Sequence, residues 1–234
     1  QDRLNAQTER LVIQGPAGNL ELAVDQPGQT GKPLGLAVIA HPHPLFGGNL
    51  DHKVVQTLVR AFAQQGLVCI RPNFRGVGES QGSHANGEGE QEDLWAAWQW
   101  AEARYAGLVG QRRWMGGFSF GAAVTSFIAH QWSNRRPSLG LMPINLQACI
   151  LIGLAVTRLT PANLGDPCAL IHGEDDEVVP LQAVYRFAQD QKKSVIVMPG
   201  AGHFFHGRLT ELRALILFAL HGLTANQSCR ADGS

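Results

Sequence analysis

The sequence predicts an α/β fold: a mostly parallel twisted sheet with an N-terminal antiparallel hairpin and helices on both faces. Three observations carry the prediction. Apolar runs and helix-patterned stretches alternate along most of the 234 residues. Several of those runs are apolar on successive positions, as in strands covered from both sides. Glycine is abundant, at 27 residues, which suits a fold with many tight loops at strand ends.

The elements follow in order. Segments 10-RLVI-13 and 20-LELAV-24 flank the turn-rich bridge 15-GPAGN-19 and form the hairpin. The runs 34-LGLAVIA-40, 67-LVCIR-71, 113-RWMGGF-118, 148-ACILIGLAV-156, 168-CALIH-172 and 194-SVIVM-198 are the remaining strands. In 51-DHKVVQTLVRAFAQQG-66, Val54, Val55, Leu58, Val59 and Phe62 recur at helical spacing, and Gly66 is placed to end the helix. The same reasoning predicts helices near 91–105, 120–132, 180–191 and 208–221. No internal repeat or low-complexity linker interrupts the pattern, so residues 1–234 read as one domain.

Composition excludes some functions. Nineteen Lys plus Arg balance nineteen Asp plus Glu, and the short pairs 135-RR-136 and 192-KK-193 make no basic stripe, so no nucleic-acid partner is expected. No apolar run reaches the roughly 18 residues of a membrane span, and 1-QDRLNAQTER-10 holds no apolar leader core. Cys69, Cys149, Cys168 and Cys229 lack C-x-x-C spacing, and three lie in apolar runs; free thiols, a reducing compartment and a cytoplasmic location are expected.

In open parallel sheets ligands bind beyond the carboxyl ends of strands. Residues 41–50, 72–93, 119, 157–167, 173–180 and 199–207 follow strands and are candidate site loops. Residues 133–147 precede one, so they fall on the opposite edge, with a packing or subunit-contact role.

Three residue types in those loops suggest nucleophilic catalysis. Gly117-Phe118-Ser119-Phe120-Gly121 is a G-x-S-x-G pattern between a predicted strand and a predicted helix. A serine on so sharp a turn is strained, and the close backbone approach around it needs glycine on either side. Serine also needs a base, and the base an orienting acid. The acids Glu174, Asp175 and Asp176 lie in 172-HGEDDEVVP-180, and His203 and His206 lie in 199-PGAGHFFHG-207. Serine, acid, histidine is the chain order of a nucleophile elbow on this kind of sheet.

Over nearly its whole length the sequence resembles the α/β-hydrolase superfamily. The run His172, Gly173, Asp176, Val179, Pro180 matches the H-G-x-x-D-x-x-V-P often found in its acid loop, which implies Asp176 over Glu174 and Asp175. The turn Gly202-His203 matches the position of the family histidine, with His206 a neighbour shaping the site and His172 hydrogen-bonded structure. The segments 41-HPHPLFGGN-49, 73-NFRGVGES-80, 116-GGFSFG-121 and 203-HFFHG-207 together resemble small, cap-less bacterial serine hydrolases related to dienelactone hydrolase. That enzyme carries a cysteine where Ser119 stands here, so its substrate is not carried over.

The resemblance implies one oxyanion donor at the amide of Phe120 and a second on the loop after Ala40. Pro42 and Pro44 have no N–H, which leaves His43 and then Leu45 as the second donor. This loop departs from the superfamily's common H-G-x form. Neither a metal nor a cofactor is expected. His41-x-His43 lacks further ligands at metal spacing, no G-x-x-x-x-G-K-[ST] occurs, and Gly76, Gly78 and Gly82 miss the dinucleotide spacing.

The expected function is therefore a carboxylesterase cleaving small accessible esters through an acyl-enzyme. An open site is expected because 157-TRLTPANLGDP-167 is too short for a lipase-like cap. Acyl transfer, peptidase action with the same triad and non-catalytic binding on a hydrolase scaffold are the alternatives.

Overall fold

The computed structural model describes residues 8–133 and 145–231. The hairpin forms as β1 (Thr8–Gly15) and β2 (Gly18–Asp25). The parallel strands are β3 (Gly35–Ala40), β4 (Leu67–Pro72), β5 (Arg112–Phe118), β6 (Ala148–Ile152), β7 (Cys168–Gly173) and β8 (Val195–Met198). They make one eight-stranded sheet in the order β1-β2-β4-β3-β5-β6-β7-β8. Only the β1/β2 and β2/β4 pairs are antiparallel.

The uninterrupted apolar runs have the expected cause. Along β3, Leu36, Val38 and Ala40 face one core, while Ala37 and Ile39 face the other. Along β6, Cys149 and Leu151 face the first, and Ala148, Ile150 and Ile152 the second. Helices α2 (Glu88–Arg104) and α3 (Phe120–Ser133) cover the first core through Leu94, Trp98, Ala122 and Val124. Helix α4 (Leu181–Asp190) adds Ala188 there. The second core lies under α1 (Lys53–Gln64) and α5 (Leu209–Ala231), with Leu58, Phe62, Leu212 and Ile216.

Some boundaries differ from expectation for local reasons. Helix α2 starts three residues early because the Glu90 carboxylate reaches back to the Ala85 and Gly87 amides at 2.9 and 2.8 Å. Helix α5 runs on to Ala231, ten residues past the predicted end. The predicted strand 148–156 stops at Ile152, where Gly153 takes φ +55° and turns the chain. A β-carbon on Gly153 would lie 3.2 Å from both His203 and Phe118, so this residue leaves room for a ring. Of the segment 133–147 read as an opposite-edge contact, residues 134–144 lie outside the described residues.

The hairpin is tied to the sheet by a buried ion pair. Arg71 Nε and Nη2 donate to Asp25 at 2.8 and 3.1 Å, and Nη1 donates to the Leu50 carbonyl at 2.7 Å. Each charge thus has directed partners away from water. Cys69, Cys149 and Cys168 are free and buried. No helix among the described residues is long and apolar enough to cross a membrane.

Candidate active site

The turn from β5 into α3 carries Ser119 at φ +55°. A non-glycine residue in this left-handed region costs about 1–3 kcal/mol and persists only where its surroundings impose it. Here they do. The Ser119 amide donates to the Ile152 carbonyl at 2.8 Å, and the Ser119 carbonyl accepts from Ala123 at 3.2 Å. A β-carbon on Gly117 would lie 2.6 Å from the Gly121 oxygen, and one on Gly121 would lie 2.3 Å from the His41 oxygen. Both obstacles are backbone, which cannot swing aside. Gly121→Ala should therefore lower unfolding stability by about 3 kcal/mol or more, measured by urea denaturation. An unchanged midpoint would show that the end of β3 yields.

The other two chain segments meet this serine. Asp176 lies on the loop after β7 and His203 on the loop after β8. His203 Nε2 lies 3.0 Å from Ser119 Oγ, and its Nδ1 lies 2.6 Å from Asp176 Oδ2. All three are buried: Ser119 is 7% exposed, Asp176 5% and His203 2%. The His203 ring is held between Phe118 and Phe204, with centroids 4.9 and 5.0 Å away.

Asp176 is itself fixed. Its Oδ1 accepts from the Val178 and Val179 amides at 2.9 and 2.7 Å, leaving Oδ2 for the histidine. His172 Nε2 donates to the Val179 carbonyl at 2.8 Å and lies 3.2 Å from Asp176 Oδ2. Since a carbonyl only accepts, Nε2 of His172 carries the proton, and burial lowers its pKa, so the ring stays neutral. The rival acids point elsewhere: Glu174 accepts from the Gly200 amide, and Asp175 is exposed. His206 is exposed beside Phe204.

The loop after β3 closes the far side. His41 is fully buried, with Nδ1 on the Pro42 carbonyl at 2.6 Å and Nε2 accepting from the Phe74 amide at 2.9 Å. Both ring nitrogens are committed, so His41 and His43 do not form a metal pair. Burial pushes the His41 pKa down to about 3. The unfolded chain takes up this proton near pH 6.5, whereas the folded chain resists until about pH 3. Stability should therefore fall as pH drops from 6.5 towards 3, and this part of the loss should be absent from His41→Asn in urea denaturation at pH 7, 5 and 4. Equal pH dependence in the two proteins would exclude His41 as a source.

The His43 and Phe120 rings pack in a tilted contact, 4.8 Å between centroids, and neither backbone amide has a partner among the described residues. The Leu45 amide is occupied, donating to His43 Nδ1 at 3.2 Å. Together these segments line an open cleft of about 260 Å³, mostly apolar, with Ser119 and His203 in its wall. Among the lining residues, His52 and Arg158 were given no role from sequence. His52 caps α1 by accepting from the Val54 amide at 3.2 Å, and its ring lies against Phe118. Arg158 reaches in from the loop after β6.

A sheet of this order with a serine elbow after β5 defines an α/β serine hydrolase. Residues 18–140 match the family described as X-Pro dipeptidyl-peptidase (S15 family), and the chain belongs to that family. The matched part contains Ser119 and the loop after β3 but neither Asp176 nor His203. An α/β serine hydrolase homologue from Coxiella burnetii is 38% identical, with 90% of this chain and 96% of that one covered and a TM-score of 0.77. A serine hydrolase without lid from Xanthomonas campestris is 32% identical, covering 92% and 94%, with a TM-score of 0.79. An uncharacterised protein of Rickettsia prowazekii (strain Madrid E) is 31% identical over 215 residues, 88% of this chain and 86% of its own.

Proposed function

We propose that the protein is a carboxylesterase acting on small, accessible esters. The observation that carries this reading is the chain of contacts from Asp176 through His203 to Ser119, at 2.6 and 3.0 Å. In this reading Ser119 Oγ adds to the ester carbonyl while its proton passes to His203 Nε2. Asp176 accepts from Nδ1–H, which holds the ring in the orientation that leaves Nε2 free, and it stabilises the imidazolium that forms. The carbonyl oxygen becomes an oxyanion beside the amides of Phe120 and His43, both without other partners. The Leu45 amide, spent on the His43 ring, is the weaker candidate. Collapse expels the alcohol, which takes the proton from His203. Water then adds to the acyl-enzyme by the same route, releasing the acid and restoring Ser119.

The cleft supports small substrates by its volume and ester access by its openness. A second reading, cleavage of X-Pro peptides, is favoured by the family description. Treatment with a fluorophosphonate tests the nucleophile: one adduct by intact mass is expected on the native protein and none on Ser119→Ala. No adduct on folded protein would overturn the hydrolytic reading. Comparing 4-nitrophenyl butyrate with an alanyl-proline anilide then separates esterase from dipeptidyl-peptidase.

A further inference from the structure

Arg158 has an arrangement that the hydrolytic steps do not use. It is an exposed residue on the loop after β6, and its guanidinium lies 4.5 Å from the centroid of the Phe46 ring on the loop after β3. Among the described residues no carboxylate pairs with it. Phe46 is 67% exposed, so this stacking gives an otherwise solvated aromatic ring a cation to hold. A guanidinium held over a ring through its central carbon keeps N–H groups for a further partner, and that fork matches a carboxylate.

The surroundings preserve this charge. The loop bearing Arg158 is anchored where the Ala155 amide meets the Ser119 carbonyl at 3.4 Å and the Ala162 amide meets Ser126 Oγ at 3.1 Å. Burial above all, with positive neighbours that include Arg158, lowers the pKa of His43, so that ring adds no competing charge. No Asp or Glu is among the described residues that line the cleft, and Glu90, on the His43 side, has a fully buried carboxylate held by the Ala85 and Gly87 amides. A substrate entering this mostly apolar cleft therefore meets the Arg158 guanidinium and no lining carboxylate among the described residues. That charge favours a substrate that carries an anionic group.

We propose that Arg158, held by Phe46, is a specificity residue that recognises a carboxylate carried by the ester substrate. The proposal rests on the esterase reading for its chemistry, but the binding it predicts does not require turnover.

The test compares matched substrate pairs on native protein, Arg158→Gln and Phe46→Leu. One pair places the carboxylate on the acyl part, as 4-nitrophenyl butyrate and mono-4-nitrophenyl glutarate. The other places it on the alcohol part, as phenyl butyrate and 4-(butyryloxy)benzoate. In at least one pair, Arg158→Gln should reduce kcat/KM for the carboxylate ester about ten- to a hundredfold further than for its neutral partner, mostly through KM. Phe46→Leu should give a smaller loss of the same sign. Equal losses within both pairs, or none, would overturn the proposal. Calorimetric titration of Ser119→Ala with monomethyl glutarate and with methyl butyrate separates the two readings. Binding of the monoanion that Arg158→Gln abolishes supports the site even if no ester is turned over. Neutral-ester hydrolysis without anion binding leaves the esterase reading intact and removes this one.

Discussion

Ser119→Ala should lose about 10⁶-fold in kcat on a neutral ester such as 4-nitrophenyl butyrate, with the fold intact. The size follows from the absence of a substitute. His203 Nε2 is directed at Oγ from 3.0 Å, and the other hydroxyl lining the cleft, that of Thr157, makes no hydrogen bond to His203. What remains after the serine is removed is an oxyanion site and a histidine able to activate water poorly. Stability should stay unchanged or fall slightly, because alanine meets the same left-handed backbone cost and loses only the buried bond to His203. Steady-state kinetics with an unfolding curve decides it. A variant within tenfold of the native rate would mean that the nucleophile lies elsewhere.

Asp176→Asn should cost about 10⁴-fold in kcat while Glu174→Gln and Asp175→Asn cost little. The asparagine oxygen can still accept from the Val178 and Val179 amides, so the loop keeps its shape. Its NH₂ group then faces His203 Nδ1, and a donor there favours the tautomer that places the proton on Nε2, where the serine proton has to go. The damage is therefore to proton direction, not to packing. Rates for the three variants at pH 7 distinguish the acids, and a larger loss at Glu174 or Asp175 would move the assignment to that residue.

Much of this arrangement was legible from residue type and order. Ser119, Asp176 and His203 each follow a strand, and a parallel sheet brings the carboxyl ends of its strands to one edge. The two glycines around Ser119 were readable because their reason is steric and local. The lining by His52 and Arg158 was not, since neither lies in a motif. His52 is simultaneously a helix cap, and only the packing of Phe118 beside it turns its ring to the cleft. Arg158 gains meaning from Phe46, 112 positions earlier in the chain, which no local pattern connects to it. The end of β6 was misplaced for a related reason: 148–156 is uniformly apolar, and Gly153 breaks the strand to make room for a ring supplied by residue 203.

The contact between Ser119 and His203 spans 84 positions, and that between Asp176 and His203 spans 27. During synthesis the nucleophile turn emerges well before either partner, and the elbow can be held by β3, β5 and β6 before the histidine that lies against its hydroxyl has emerged. Such distant pairings form late, because the intervening chain has to be ordered before they are rewarded. In the hydrolytic reading, the nascent chain should therefore carry an inert serine until β7 and β8 have docked, and labelling of Ser119 by a fluorophosphonate should appear only when the C-terminal half of the sheet is complete.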